Sequence, residues 1–208
     1  MRSQRVVGVA ICVVMLAAGG CRKTNSVDKS AFKSALDDYY LARQECVWES
    51  PVKFPAQADT SKEEQTKGFD ALTDAGLLAR TSAEKKRFLV GSKQVNNYDV
   101  SDKGRSTWTA DQTEPGYGNF CYGHRSVTSI DSYTPSDNPD ATTYSVTYHS
   151  KVAGAPDWAK STEMQTAFPK IAEDTSGDQT ATANLTKTTN GWQVGSVQRT
   201  GGGSSLPQ

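Results

Sequence analysis

The sequence predicts an α+β fold, with helices in its N-terminal half and an antiparallel sheet, interrupted by one short helical excursion, in its C-terminal half. Three observations predict it. Apolar residues recur at three- and four-residue steps at Phe32, Ala35, Leu36, Tyr39 and Tyr40, the spacing of one helix face. Tyr144, Val146 and Tyr148 alternate with Ser145, Thr147 and His149, the period of a strand with one wet face. Asn190-Gly191, between two strand-like runs, is the strongest short-range hairpin signal.

The chain begins with Arg2 and Arg5, then the uncharged run Val6 to Ala18, then Gly19, Gly20 and Cys21. This is the charged, apolar, small-residue order of an export signal, and the run falls short of the roughly 20 residues a membrane-spanning helix needs. Ala18-Gly19-Gly20-Cys21 resembles the bacterial lipobox, although the commonest pattern has leucine where Ala18 stands. The resemblance implies a signal peptide over 1–20, lipidation of Cys21 with acyl chains such as palmitate, and anchoring to a membrane of the cell envelope. More than one chain makes such anchoring stable. Arg22 is not the aspartate that resembles an inner-membrane retention signal, which favours the outer membrane, facing the periplasm, in a cell that has one. Ordinary secretion is the alternative, since Ala18 and Gly20 also suit the general signal peptidase.

Residues 21–27 read as a lipidated tether, followed by a helical part over 28–118 and an antiparallel β part over 119–200. Asp28 is placed to cap the first helix, whose stripe is expected to carry Cys46 toward the core. Pro51 and Pro55 force an extended stretch. Ser61 with Glu64 reads as a capping box opening a second helix through Phe69, Leu72 and Ala75, with Gly76 ending it. Thr109 to Gly118 reads as a glycine-rich polar loop. Strands are expected over Phe120 to Tyr133, Thr142 to Val152 and Thr180 to Lys187, with Trp192 and Val194 on the returning strand. Between them Pro156, Asp157 and Trp158 start a short helix through Met164 to Phe168 that Pro169 should end. The tail 201–208 is expected to be disordered.

The order helix, Ala75-Gly76-Leu77-Leu78-x-Arg80, strand, polar hairpin, Tyr98-x-Val100-Ser101-x-x-Gly104 resembles the second half of a winged-helix domain over residues 61–105. Lys85, Lys86, Arg87, Lys93, Lys103 and Arg105 cluster where such a domain meets phosphate. An exported chain faces no chromosome, so these charges read as a solvated face, or one facing lipid head groups or anionic wall polymer, and nucleic acid is not an expected partner. Lysine plus arginine balance aspartate plus glutamate at 23 each, so no overall field names a partner. The Trp192 hairpin is similar to the closing strands of cystatin-like and NTF2-like domains, folds that serve both binding and catalysis.

Of four cysteines, Cys12 leaves with the signal and Cys21 is consumed by lipid, leaving Cys46 and Cys121. In an oxidising compartment the pair is expected to be joined, stapling the first helix to the later sheet and removing about 4 kcal/mol of unfolded-state entropy. Two separate buried thiols are the alternative.

No catalytic motif emerges. His124 and His149 lack a G-x-S-x-G, S-x-x-K or H-E-x-x-H context, no C-x-x-C or metal-ligand spacing occurs, and no phosphate-binding glycine loop follows a strand. No cofactor or metal is expected. The sharpest ligand-binding candidates are Tyr117, Phe120 and Tyr122 around Cys121, rings that can stack on a sugar or peptide, or instead pack the core beside the disulfide. The expected function is a membrane-anchored, non-enzymatic binding or assembly component of the envelope, with an envelope protein or peptidoglycan as partner. A small hydrolase acting on envelope polymer is the alternative.

Overall fold

A computed structural model describes residues 27–87 and 91–199. The signal segment 1–20, Cys21, most of the tether and the tail 201–208 lie outside the described residues.

In chain order the elements are α1 (Lys29–Leu41), β1 (Gln44–Cys46), β2 (Val52–Lys53), β3 (Ala56–Asp59), α2 (Glu63–Asp74), β4 (Leu78–Arg87), β5 (Gly91–Val100), α3 (Asp102–Arg105), β6 (Trp108–Ala110) and β7 (Tyr117–Thr134). Then follow β8 (Thr143–Ala153), α4 (Asp157–Lys160), α5 (Thr162–Ala167), α6 (Pro169–Thr175), β9 (Gln179–Thr188) and β10 (Gly191–Arg199). The fold is mixed α and β, and the strands pair antiparallel throughout. The main sheet runs β1-β7-β8-β9-β10, with β2 and β6 also on β7, and a smaller sheet runs β3-β5-β4.

The first helix forms as its pattern predicts. Asp28 Oδ1 accepts from the Ser30 amide at 2.9 Å, satisfying a donor the helix leaves free, and Phe32, Leu36 and Tyr40 are buried. The helix ends at Leu41, however, so Cys46 lies on β1 rather than on the helix, and it is half-buried. The Ser61–Glu64 capping box does not form. Asp59 takes both the Ser61 amide and its hydroxyl, at 3.1 and 2.8 Å, and α2 starts at Glu63 without a side-chain cap. Such a local turn competes directly with capping. At the other end Gly76, with φ +76°, turns the chain as expected, and Leu77 N–H returns to Leu72 O at 2.8 Å.

Within 61–105 the resemblance to a winged helix reaches only the helix and the long β4–β5 hairpin. A helix followed by a hairpin is common to many folds, and nothing further among the described residues identifies the segment as a winged helix. The hairpin turn at 88–90 lies outside them. The expected loop over Thr109–Gly118 is partly strand, with β6 pairing β7 through Trp108 and Phe120. The helical excursion is three short helices rather than one; α5 ends just before Pro169 as expected, and Pro169 also opens α6. Proline suits a first helical turn because its missing N–H would have no partner there.

Two apolar cores result. One joins Phe54, Leu72, Leu77, Tyr98, Phe120 and Tyr122 to Met164 and Ile171 of the excursion. The other buries α1 on the sheet through Phe32, Leu36 and Tyr40 against Val127, Tyr144, Val146, Tyr148 and Leu185. Trp192 closes it, its ring 5.0 Å from Phe32 and 5.3 Å from Tyr144. Each fully buried large apolar side chain contributes about 2 kcal/mol. Each core draws on both sides of the expected 118/119 division, since α1 packs with the later strands and the excursion packs with α2.

Candidate functional site

Between the two cores lies a polar seam. Glu45 on β1, Tyr122 and Arg125 on β7, Lys170 and Asp174 on α6, and Arg199 at the end of β10 converge there. Arg125 is the largest fully buried side chain of the described residues. Its Nε donates to Glu45 Oε1 at 2.9 Å and its Nη2 donates to Asp174 Oδ1. Arg199 Nη2 donates to the same Glu45 Oε1 at 2.8 Å, while Lys170 Nζ donates to Glu45 Oε2 at 2.7 Å and to Asp174 Oδ2 at 2.6 Å. The Tyr122 hydroxyl donates to Asp174 Oδ2 at 2.6 Å.

A bulge makes this convergence. Tyr122 and Arg125 are three residues apart and would face opposite sides of a regular strand. Opposite Glu45 and Cys46, however, β7 advances from Gly123 to Cys121, inserting one extra residue. Phe120, Tyr122, Arg125 and Val127 are all buried as a result. Gly123 carries the change with φ +143°, and a Cβ there would stand 2.4 Å from the Ala153 carbonyl oxygen.

The electrostatics follow from the packing. Burial pushes the Glu45 carboxyl up, but the Arg199 charge, the Lys170 hydrogen bond and the Lys170 and Arg125 charges outweigh it and hold the group below the usual range. Burial and then the Asp174 carboxylate push the Tyr122 phenol well above its usual value, so it acts here as a neutral donor. The chain matches no known protein family, no curated protein and no solved structure.

A second feature is a groove between α2 and the α4–α5 segment. Ala71, Asp74, Ala75, Lys103, Trp158, Ser161 and Glu163 line a concavity of about 520 Å³. It continues through Ala71, Asp74 and Glu163 into a shallower one of about 380 Å³, bordered by Glu63, Thr66, Lys67, Asp70, Thr162 and Thr166. The groove is open and rich in hydroxyls and carboxylates, with one aromatic wall. Trp158 meets the Tyr122 ring edge-on at 6.4 Å, so the groove wall touches the seam.

Of the ring candidates, Phe120 and Tyr122 are buried and Tyr117 is half-buried, with Lys53 Nζ 5.6 Å from its ring centre. Phe120 packs against Trp48 and Trp108, and Tyr122 spends its hydroxyl on Asp174, so neither offers a ring face to a ligand. Cys46 and Cys121 are joined, linking the paired strands β1 and β7 rather than a helix to a sheet. Of the basic residues near the hairpin, Lys93 pairs with Asp59 at 3.0 Å, Lys103 donates to Ala75 O, and Lys85 reaches Gln57.

His149 has an unforeseen setting. Its Nε2 lies 3.0 Å from Asp131 Oδ2 and its Nδ1 3.2 Å from Thr180 Oγ1, the order of an acid, a base and a hydroxyl. These residues sit on the β7-β8-β9 face, whose backbone is committed to the ladders, and they border neither concavity. His124 stands opposite Gln44 and Ala153. No group of three or more His, Cys, Asp or Glu among the described residues is placed to hold a metal ion, and no described helix is long and apolar enough to cross a membrane.

Sequence reasoning missed the seam. Glu45, Arg125 and Arg199 are isolated charges in separate segments, each of which resembles an ordinary surface residue. The one available signal was Lys170 and Asp174, four apart in the turn after Pro169.

Proposed function

We propose that this chain is a lipid-anchored protein of a bacterial cell envelope that works by binding rather than by catalysis. The observation that carries binding is the continuous open groove between α2 and α5, whose Trp158 wall, hydroxyls and carboxylates suit contact with an extended partner. Two adjoining open concavities favour a linear segment, of an envelope protein or of peptidoglycan, over a small enclosed substrate. The lipobox-like Ala18-Gly19-Gly20-Cys21 supports the anchor, and the Cys46–Cys121 bond is compatible with an oxidising compartment.

Two experiments test the proposal. Cells fed an alkyne fatty acid should label the wild-type protein and not Cys21→Ala; equal labelling refutes the anchor. A photo-crosslinking residue at Thr166, in the groove, should capture an envelope partner that the same residue at Lys187 does not. Capture of the same species from both positions refutes the groove as the binding surface.

One observation favours a second reading, a hydrolase: the Asp131–His149–Thr180 hydrogen-bond chain. If it were catalytic, Thr180→Val would abolish turnover of envelope polymer while leaving binding at the groove intact.

A further inference from the structure

We infer that the seam is an anion-receiving site, in which Lys170 and Arg199 together present one uncompensated positive charge to a phosphate or carboxylate group. The inference does not depend on the groove, and a different measurement tests it.

Charge is the first reason. Three cations, Arg125, Lys170 and Arg199, share two carboxylates, Glu45 and Asp174. With Tyr122 as a neutral donor, the cluster keeps one surplus positive charge, and its two partly exposed members are both cations, Lys170 and Arg199. At that solvent-facing edge the surplus charge attracts an anion.

Hydrogen-bond capacity is the second. Glu45 Oε1 already accepts from Arg125 and Arg199, its Oε2 from Lys170, and the two Asp174 oxygens from Arg125, Tyr122 and Lys170. Donors remain. Arg125 Nη1 is buried without a partner, and Arg199 Nη1 is 3.9 Å from Asp174 Oδ1, too far for a hydrogen bond. Lys170, by contrast, spends its three N–H groups on Glu45 Oε2, Asp174 Oδ2 and the Tyr122 hydroxyl, so the open donors are guanidinium ones.

Exposure gives the direction of approach. The side chains of Arg125, Glu45 and Asp174 are 1%, 9% and 4% exposed, while Arg199 is 27% and Lys170 40% exposed. The carboxylates thus lie beneath, and the two accessible groups are both cations. Glu45 holds them as a pair, one on each carboxylate oxygen, so both are already ordered toward an anion that approaches from solvent. Arg125 contributes from behind through its charge, since Nη1 itself is out of reach of a ligand. An oxyanion accepts well from the Arg199 guanidinium, with the Lys170 charge beside it.

The test is thermal unfolding of the full chain against inorganic phosphate, acetate and glycerol phosphate, with chloride holding ionic strength constant. Anything that binds the folded form raises its unfolding temperature saturably. Wild type and Lys187→Gln should show the same saturable rise. Arg199→Gln and Lys170→Met, which leave Arg125 paired to both carboxylates, should need at least about tenfold more anion for the same rise, a loss of about 1.4 kcal/mol. Tighter response to glycerol phosphate than to inorganic phosphate would identify a phosphate ester, as on a lipid head group or wall polymer. An equal response would identify a free oxyanion. No saturable rise in wild type, or an undiminished rise in both variants, overturns the inference. Failure of groove crosslinking would leave this result unaffected.

Discussion

Arg125 and Glu45 stand 80 residues apart in the chain and meet in the seam, Nε donating to Oε1 at 2.9 Å where neither side chain reaches water freely. Arg125 also forks to Asp174, so it ties β1 and β7 to α6. Arg125→Met should lower stability by about 3 kcal/mol, because it strips a cation from two buried carboxylates. Arg199→Gln should cost only about 1 kcal/mol, since that guanidinium is partly solvated and Glu45 keeps two other donors. Arg125→Lys should not rescue, because one ammonium cannot reproduce the fork. Urea denaturation measures all three, and equal losses for positions 125 and 199 would contradict this division.

Acid should loosen the fold through the same carboxylate. Glu45 is held below its ordinary range when folded, so its contribution is complete above the unfolded value and fades as pH falls toward the folded one. Asp59, held down by the Ser61 hydroxyl and amide and by Lys93, acts in the same direction. The urea midpoint should be flat above about pH 5 and fall below about pH 4. Glu45→Gln should be less stable at neutral pH and fall less steeply in acid. A midpoint that rises on acidification would contradict the sign.

How far the sequence reveals this fold depends on how local each cause is. The α1 stripe, the Gly76 stop and the Asn190-Gly191 turn are each decided within a few residues, and each appears where expected. Ser61 was misread although its competitor Asp59 lies two residues away, because an aspartate before a serine supports a turn as readily as a cap supports a helix. The seam was illegible for a different reason. Its members come from four distant segments, and the bulge at Gly123 breaks the period that would have placed Tyr122 and Arg125 on one face. Phe120 and Tyr122 were noticed for the correct feature, their aromatic area, but whether a ring faces a ligand or a core depends on Trp48, Trp108 and Asp174, which the local sequence does not contain.

Reducing Cys46–Cys121 should cost up to about 4 kcal/mol, since the bond closes a loop of sequence separation 75. The bond joins strands that already pair in register, so the native contacts remain available after reduction. The reduced protein should therefore unfold at lower urea with unchanged near-ultraviolet dichroism before the transition. Intact mass with and without reductant, after thiol alkylation, checks that the bond was present. Unchanged stability would show that the reduced unfolded chain is already constrained.

Gly123 provides the sharpest local test. At φ +143° it occupies backbone space that other residues rarely enter, and an added Cβ would lie 2.4 Å from Ala153 O and 3.0 Å from Val152 Cγ1. Gly154 also has positive φ, at +75°, but nothing lies within 4 Å of its added Cβ. Gly154→Ala should therefore cost about 1 kcal/mol, from left-handed backbone strain alone. Gly123→Ala adds a clash with a strand partner that cannot move without opening the β7–β8 ladder, and should cost about 3 kcal/mol or more. If the protein still folds, relief of the clash by losing the bulge would return Tyr122 and Arg125 to opposite faces. Arg125→Met should then cost much less in the Gly123→Ala background than in wild type, a coupling that a double-mutant cycle reads directly. Strict additivity of the two substitutions would show that the bulge does not assemble the seam.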